Sequence, residues 1–240
     1  MKKKVVARSV PVFKGFTPAM LEFLHHLAQN NNRDWFAANK PRFEHEVVAK
    51  ALDFIECMAA PLSGISPHFL CIPKRVGGSL FRIQRDTRFA HDKRPYKTNI
   101  GIHFRHDSNF DVHAPGYYLH IGVDECFLAC GVWHPERPAL NRIRHAIVDK
   151  PRSWGTVRRA LDRADCFEFH GEALKRLPVD LPVPPDHPWQ DDLKRKDFIV
   201  LRHFEEGLLF DASMLDFAVE TYASATPLMR FLCTSLGARF

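Results

Sequence analysis

The chain has 240 residues, 45% of them apolar and 26% charged, with a formal net charge of +6; that is enough to bury a sizeable core without staples. No apolar run approaches the roughly 18 residues of a membrane helix, and the lysine-rich start MKKKVVARSVPVF is broken by Arg8 and Ser9, which argues against export. The six cysteines form no Cys-x-x-Cys pair, and Cys126 and Cys130 on one strand would sit about 13 Å apart, so a reduced, cytoplasmic setting is expected rather than a disulfide framework.

Residues 1–12 read as an irregular N-terminal segment. Thr17-Pro18 has the form of an N-cap followed by proline at the first helical position, and Leu21, Leu24 and Leu27 then recur at helical spacing up to Asn30-Asn31-Asn32. Arg33-Asp34-Trp35-Phe36 opens a short helix. Past Pro41, the residues Phe43, Val47, Ala51, Phe54, Ile55 and Met58 mark one face of a longer one, which Pro61 and Gly64 should end.

From about residue 68 the period changes to two. Phe81 and Ile83 alternate with Arg82 and Gln84; Ile100, Ile102 and Phe104 with Gly101, His103 and Arg105; Tyr117, Leu119, Ile121 and Val123 with Tyr118, His120 and Gly122. These are half-buried antiparallel strands. Cys126 to Trp133 should pair with the strand before it through a turn at Asp124-Glu125, although that turn lacks the glycine a two-residue connection prefers. Helices return around Leu140 to Ile147 and from about Ser153 to Arg163. The prolines at 178, 182, 184, 185 and 188 then make an extended connection, and a strand Phe198 to Phe204 and a helix Ala212 to Ala223 complete the chain. The expectation is one α+β domain over 1–240: a mainly antiparallel sheet packed against N-terminal and C-terminal helices, with one polar sheet face.

Charge is concentrated in one place. Between Cys71 and Arg105 there are nine Lys or Arg and two carboxylates, a net +7, while the rest of the chain sums to −1. Such a cluster calls for an anionic partner or an internal carboxylate network. If the apolar strand residues face the helices, the other sheet face presents Arg82 and Gln84, then Gly101, His103 and Arg105, then Tyr118, His120 and Gly122. The fourth strand is ambiguous, with Phe127, Ala129, Gly131 and Trp133 on one side and Cys126, Leu128, Cys130 and Val132 on the other. Gly101, Gly122 and Gly131 suggest a shallow floor.

Arg85 falls on the apolar side by the same alternation, so it needs a carboxylate from Asp34, Asp86 or Asp92. Arg85 and Asp86 are therefore read as structural ion pairs. The loop Thr87 to Lys97, holding Arg88, Lys93, Arg94, Tyr96 and Lys97 around Pro95, could close over the polar face and grip an anion. Fourteen histidines match no HExxH or Cys/His zinc spacing, so no metal ligand set and no cofactor is expected. His120 is the first candidate for a general base, since a neutral imidazole beside cationic groups acts near pH 7. A GxSxG elbow, a Walker A loop and a GxGxxG turn are missing, and Val76-Gly77-Gly78-Ser79 alone is a weak anion loop.

Several strings in combination carry a resemblance. Gly15-Phe16, Asn30-Asn31 with Asp34-Trp35-Phe36, Phe81-Arg82-Ile83, Arg85-Asp86-Thr87-Arg88-Phe89, Asp92-Lys93, Pro95-Tyr96-Lys97-Thr98, Gly116-Tyr117-Tyr118 and Gly131-Val132-Trp133-His134-Pro135 resemble the bacterial and fungal family called domain of unknown function 2461. The resemblance spans roughly Phe13 to Leu236. It implies one α+β domain and supplies no catalytic residues.

Three functions stay open. One is binding of, or catalysis on, a small anionic ligand, phosphorylated ones included, by Arg82, Arg88, Lys93, Tyr96, Lys97, His103, Arg105, Tyr118 and Trp133, with His120 as acid or base. Another is an interaction or scaffold module whose arginines satisfy internal carboxylates. The last is nucleic-acid binding, with Phe89, Tyr96, Tyr117 and Tyr118 as stacking surfaces on the same basic patch.

Overall fold

The computed structural model describes residues 12–88, 91–108, 114–181, 183, 184 and 186–240. Residues 1–11 of the expected N-terminal segment, Phe89, Pro182 and Pro185 lie outside the described residues.

The helical first third forms as its periodicity dictates. Helix α1 (Pro18–Gln29) buries Met20, Leu21, Phe23, Leu24 and Leu27 on one face. Helix α2 (Arg33–Arg42) is capped by Asn32, whose side chain accepts from Trp35 N–H at 2.9 Å. Pro41 does not end the run. It sits inside α2, and the chain widens directly after it into a π-helical turn, Phe43–Val48, before α3 (Ala49–Ile65). A proline has no N–H for the preceding turn and its ring crowds that turn's carbonyl, and a wide turn is one way a helix absorbs both.

Six antiparallel strands form one sheet in the order β1-β2-β3-β4-β6-β5: β1 (Phe69–Leu70), β2 (Asn99–His106), β3 (Gly116–Gly122), β4 (Cys126–Val132), β5 (Glu168–His170) and β6 (Phe198–His203). The β3–β4 hairpin pairs Ile121 with Cys126 through Gly116 with Gly131. Its turn closes with Gly122 N–H donating to Glu125 C=O at 3.0 Å, and neither Val123 nor Asp124 takes a positive φ, so no αL glycine is called for inside it.

The expected strand at Phe81 to Gln84 is a correction. Only isolated bridges occur there, Leu80 with Ile102 and Gln84 with Tyr96. Ser79 to Phe81 runs beside β2, and the chain then folds back on itself, with Arg85 N–H donating to Pro95 C=O and Lys97 N–H to Ile83 C=O. Strict alternation fails in such a segment, because side chains keep a period of two only while pairing is continuous. Ile83 is buried in the core, whereas Phe81 turns onto the open sheet face and Arg82 is exposed away from it.

Helices cover one face of the sheet. After α4 (Arg137–Asp149) and α5 (Pro151–Ala164), the short α6 (Gln190–Lys194) precedes β6, and a 3-10 turn (Glu206–Phe210) leads to α7 (Met214–Ser224) and α8 (Thr226–Ser235). Helices α7 and α8 pack on β4, and Tyr222 of α7 meets Tyr117 of β3 and Phe104 of β2 at ring distances of 4.8 and 6.2 Å. The core runs unbroken from Phe13 to Cys233, which makes this a single α+β domain. Among the described residues no helix is long and apolar enough to cross a membrane.

Candidate functional site: a histidine-lined pocket on the open sheet face

Strand register decides what stands on the uncovered face. His103 of β2 is opposite Tyr118 of β3, Tyr118 opposite Ala129 of β4, His120 opposite Phe127, and Phe127 opposite His203 of β6. Ile199 and Leu201 of β6 point the same way, and β5 adds His170 beside Ile199. The ambiguous fourth strand is thereby settled, with Phe127, Ala129 and Gly131 outward and Leu128, Cys130 and Val132 in the core.

Together these residues enclose a cavity of about 520 Å3, with Phe81 and Trp133 on its rim. Four histidines (His103, His120, His170, His203) and four aromatic rings (Phe81, Tyr118, Phe127, Trp133) make up most of its described wall; among the described residues Glu125 is the one carboxylate that lines it and no Lys or Arg does. The polar face expected from alternation is thus largely aromatic and imidazole. Gly116 sits where a Cβ would run into His103 Nε2, so this position lets the imidazole lie flat on the floor.

Two of the imidazoles, His103 and His120, are held neutral at pH 7 by burial. His103 is only 7% exposed; burial, with a smaller contribution from Arg105, pushes its pKa down to about 4. Its Nδ1 has no hydrogen-bond partner among the described residues. His120 is lowered too, mainly by burial; its ring stacks on Phe127 at 4.5 Å and its Nδ1 shares a 3.3 Å hydrogen bond with Tyr118 OH. Burial raises the Tyr118 hydroxyl to about 12, so it stays protonated.

His103 makes stability depend on pH in a stated direction. The unfolded imidazole binds a proton near its ordinary pKa of about 6.5 while the folded one waits until about 4, so the unfolded state holds more protons in between and stability falls as pH drops through that window. Between pH 7 and 4.5 the loss from this group is about 2–3 kcal/mol. Urea unfolding at the two pH values should show that much less pH dependence in His103→Gln than in the parent.

The other sequence candidates go elsewhere. Arg85 reaches Asp92 at 2.6 Å, choosing it over Asp34 and Asp86, and Asp92 also holds Arg94 at 2.7 Å. Asp86 pairs instead with Arg88 at 2.6 Å. Hydrogen bonds from Arg88, and from Arg94 and Arg85, hold both carboxyls well below the usual range. Lys93 Nζ donates to Thr87 C=O at 3.0 Å. The described residues of the loop are thus tied to one another, and none of them lines the cavity. Tyr96 is a core residue: its ring stacks on Phe36 at 4.1 Å, and the Asn31 side chain bonds both its N–H and its C=O. Arg105 donates to Gly78 C=O at 3.3 Å. Of the predicted set, His103, Tyr118, His120 and Trp133 converge on the cavity.

Arg82 and Lys97 form a separate small cluster. Lys97 Nζ lies 5.4 Å from the centre of the Phe81 ring, and burial together with Arg82 lowers its pKa. No carboxylate among the described residues pairs with either. Arg82 lines a second, smaller cleft of about 350 Å3 with Arg75 and Gln84, and Phe81 is a wall of both cavities.

The family model described as conserved hypothetical protein DUF2461 matches residues 19–231. The chain belongs to that family. No curated protein and no solved structure matches it. Several strings by which a DUF2461 chain is recognised have structural work in this fold: Asn31, Phe36 and Tyr96 fasten the charged loop to the helices, and Asp86, Arg88 and Asp92 close it. Phe81, Phe127, Ile199, Leu201, His170 and His203 were missed as site residues. For His203 the signal existed, in the alternation of Ile199, Leu201 and His203 with Phe198, Val200 and Arg202; His170, on a three-residue strand, had none.

Proposed function

We propose that this protein binds a small ligand with a flat, mainly apolar body and one acidic group, and that it works in a reducing, cytoplasmic setting. The unpartnered Nδ1 of His103 carries this reading. A buried polar atom without a partner costs about 1–3 kcal/mol, and here it stands in the wall of a cavity large enough for a metabolite-sized molecule. Phe127, Tyr118 and Trp133 supply apolar and stacking surface, and a polar group of the ligand would satisfy His103. Arg82 and Lys97, next to Phe81, favour an acidic substituent at that rim. The self-paired loop leaves less basic surface for nucleic acid, which weighs against that alternative. Neutral imidazoles and the Tyr118–His120 hydrogen bond also suit proton transfer, so acid–base chemistry at His103 or His120 is the second reading.

The test is a thermal-shift screen of small aromatic carboxylates and aryl phosphates, each beside its uncharged counterpart, with inorganic phosphate as a further probe. A ligand at tenfold excess over its Kd should raise Tm by roughly 3–6 °C. Ala129→Phe, which fills the cavity from its floor, should abolish the shift, and Lys97→Met should weaken it for the acids alone. If no member stabilises the protein, or if the shift survives Ala129→Phe, the proposal fails.

A further inference from the structure

On the helix-facing side of the sheet, away from the pocket, the pairing of β1 with β2 assembles a second group of polar side chains. Phe69 is opposite His106, and Asp107 N–H donates to His68 C=O at 2.8 Å, so His68, His106 and Asp107 meet at the end of the ladder. One ligand atom from each lies within 4.8 Å of the others. Asp107 Oδ2 is 2.9 Å from His68 Nδ1 and its Oδ1 is 3.2 Å from His106 Nδ1.

The state of His106 turns this contact into evidence. Its Nε2 lies 2.7 Å from the backbone C=O of Arg239. A carbonyl only accepts, so Nε2 donates to it, which leaves Nδ1 to accept and to face Asp107. Ser108 agrees, because its backbone N–H donates to that same Nδ1 at 3.2 Å. The Nδ1 lone pair already accepts from Ser108 and also lies 3.2 Å from a carboxylate oxygen, so ligand atoms of His68, His106 and Asp107 converge where a cation would take the place of the Ser108 donors. The partial exposure of His68 and Asp107 leaves an entry path, while His106 is only 1% exposed.

We propose that His68 Nδ1, His106 Nδ1 and the Asp107 carboxylate form a site for a divalent transition cation of the zinc type. Two imidazoles and a carboxylate are a recognised zinc donor set. Ligands at about 2.0–2.2 Å in a tetrahedron are roughly 3.3 Å apart, close to the two separations found. Three protein ligands leave the fourth position to water. The Ser108 hydroxyl, 2.7 Å from Nδ1, would rotate away, and the Ser108 backbone N–H, 3.2 Å from the same atom, would give up its bond to the ion. The Arg239 carbonyl plays the part of the outer hydrogen-bond acceptor that orients a metal-bound histidine, and Phe240 packs on Phe69 at a ring distance of 6.0 Å. A bound ion would thereby fasten the C-terminal residues to the sheet edge.

Tag-free, chelator-treated full-length protein should bind one equivalent of Zn2+ by calorimetry with a Kd below about 10 µM. Co2+ should give the intense visible bands of four-coordinate geometry. Zn2+ at a hundredfold excess over Kd should raise Tm by roughly 5–10 °C, reversed by chelator. His68→Ala and Asp107→Asn, both at partly exposed positions, should each weaken binding at least about tenfold and remove the Co2+ bands. His25→Ala with His26→Ala, on exposed α1 positions, should change neither. Weaker binding by the parent, or parent-like Co2+ spectra in His68→Ala and Asp107→Asn, would overturn the assignment.

Discussion

Asp192→Ala should destabilise the protein by about 3–5 kcal/mol, the loss that follows when one partner of a buried ion pair is removed. Asp192 is 4% exposed. Its carboxylate accepts from the indole N–H of Trp154 at 2.7 Å, from Arg158 at 2.8 Å and from Arg195 at 3.2 Å. Trp154 is fully buried between Phe198 and Phe231, and the two guanidiniums lie 4.8 and 4.2 Å from the centre of the Phe169 ring. Alanine would leave an indole N–H without an acceptor and two half-buried cations without a counter-charge, at the point where α5, α6 and β5 meet. Chemical denaturation should show a lower midpoint with an unchanged slope. Asp192→Asn keeps an acceptor for the indole and should recover part of the loss; equal stability of parent and Asp192→Ala would refute this account.

Gly131→Ala should cost at least about 3 kcal/mol, from two independent causes. The residue has φ of +135°, where a Cβ is strained in any surroundings, and that Cβ would run into the backbone carbonyl oxygen of Phe198 on β6. Backbone in a paired strand cannot swing aside as a side chain does, so the β4–β6 ladder would have to open. Gly64 provides the contrast. It lies within α3 with nothing within 4 Å of its would-be Cβ, and Gly64→Ala should stabilise by about 0.5–1 kcal/mol. Thermal melts of the two variants should move in opposite directions.

Local periodicity made the helices of the first third and strands β2, β3, β4 and β6 legible, and it correctly put His103, Tyr118 and His120 on one face. Long-range pairing set the limit. One side of the pocket comes from Ile199, Leu201, His203 and His170, and only the register of β4 against β6, and of β6 against β5, brings them beside Phe127 and Ala129. The Arg82 to Thr98 stretch misled for a related reason. Its alternation looks like a strand, but its partners are single bridges and its own carboxylates, so Arg88 faces Asp86 and Phe81, not Arg82, reaches the site. Helix α8 was missed because the Thr226-Pro227 start follows α7 after a single residue, without a turn sequence to announce it.

The same irregular stretch has a consequence for how this protein meets other chains. The sheet ends in a two-residue strand on one side and a three-residue strand on the other. Beyond β1, the outer edge of β2 gives its hydrogen bonds to Ser79 and Phe81, where Phe81 N–H donates to Gly101 C=O at 2.9 Å and His103 N–H to Ser79 C=O at 2.8 Å. A segment that turns away after two such bonds offers no continuous row of donors and acceptors for a neighbouring molecule to extend. The charged residues that follow it are of the kind that discourage edge-to-edge growth. A sheet rich in β-branched and aromatic residues is in this way kept from serving as a template for its own aggregation.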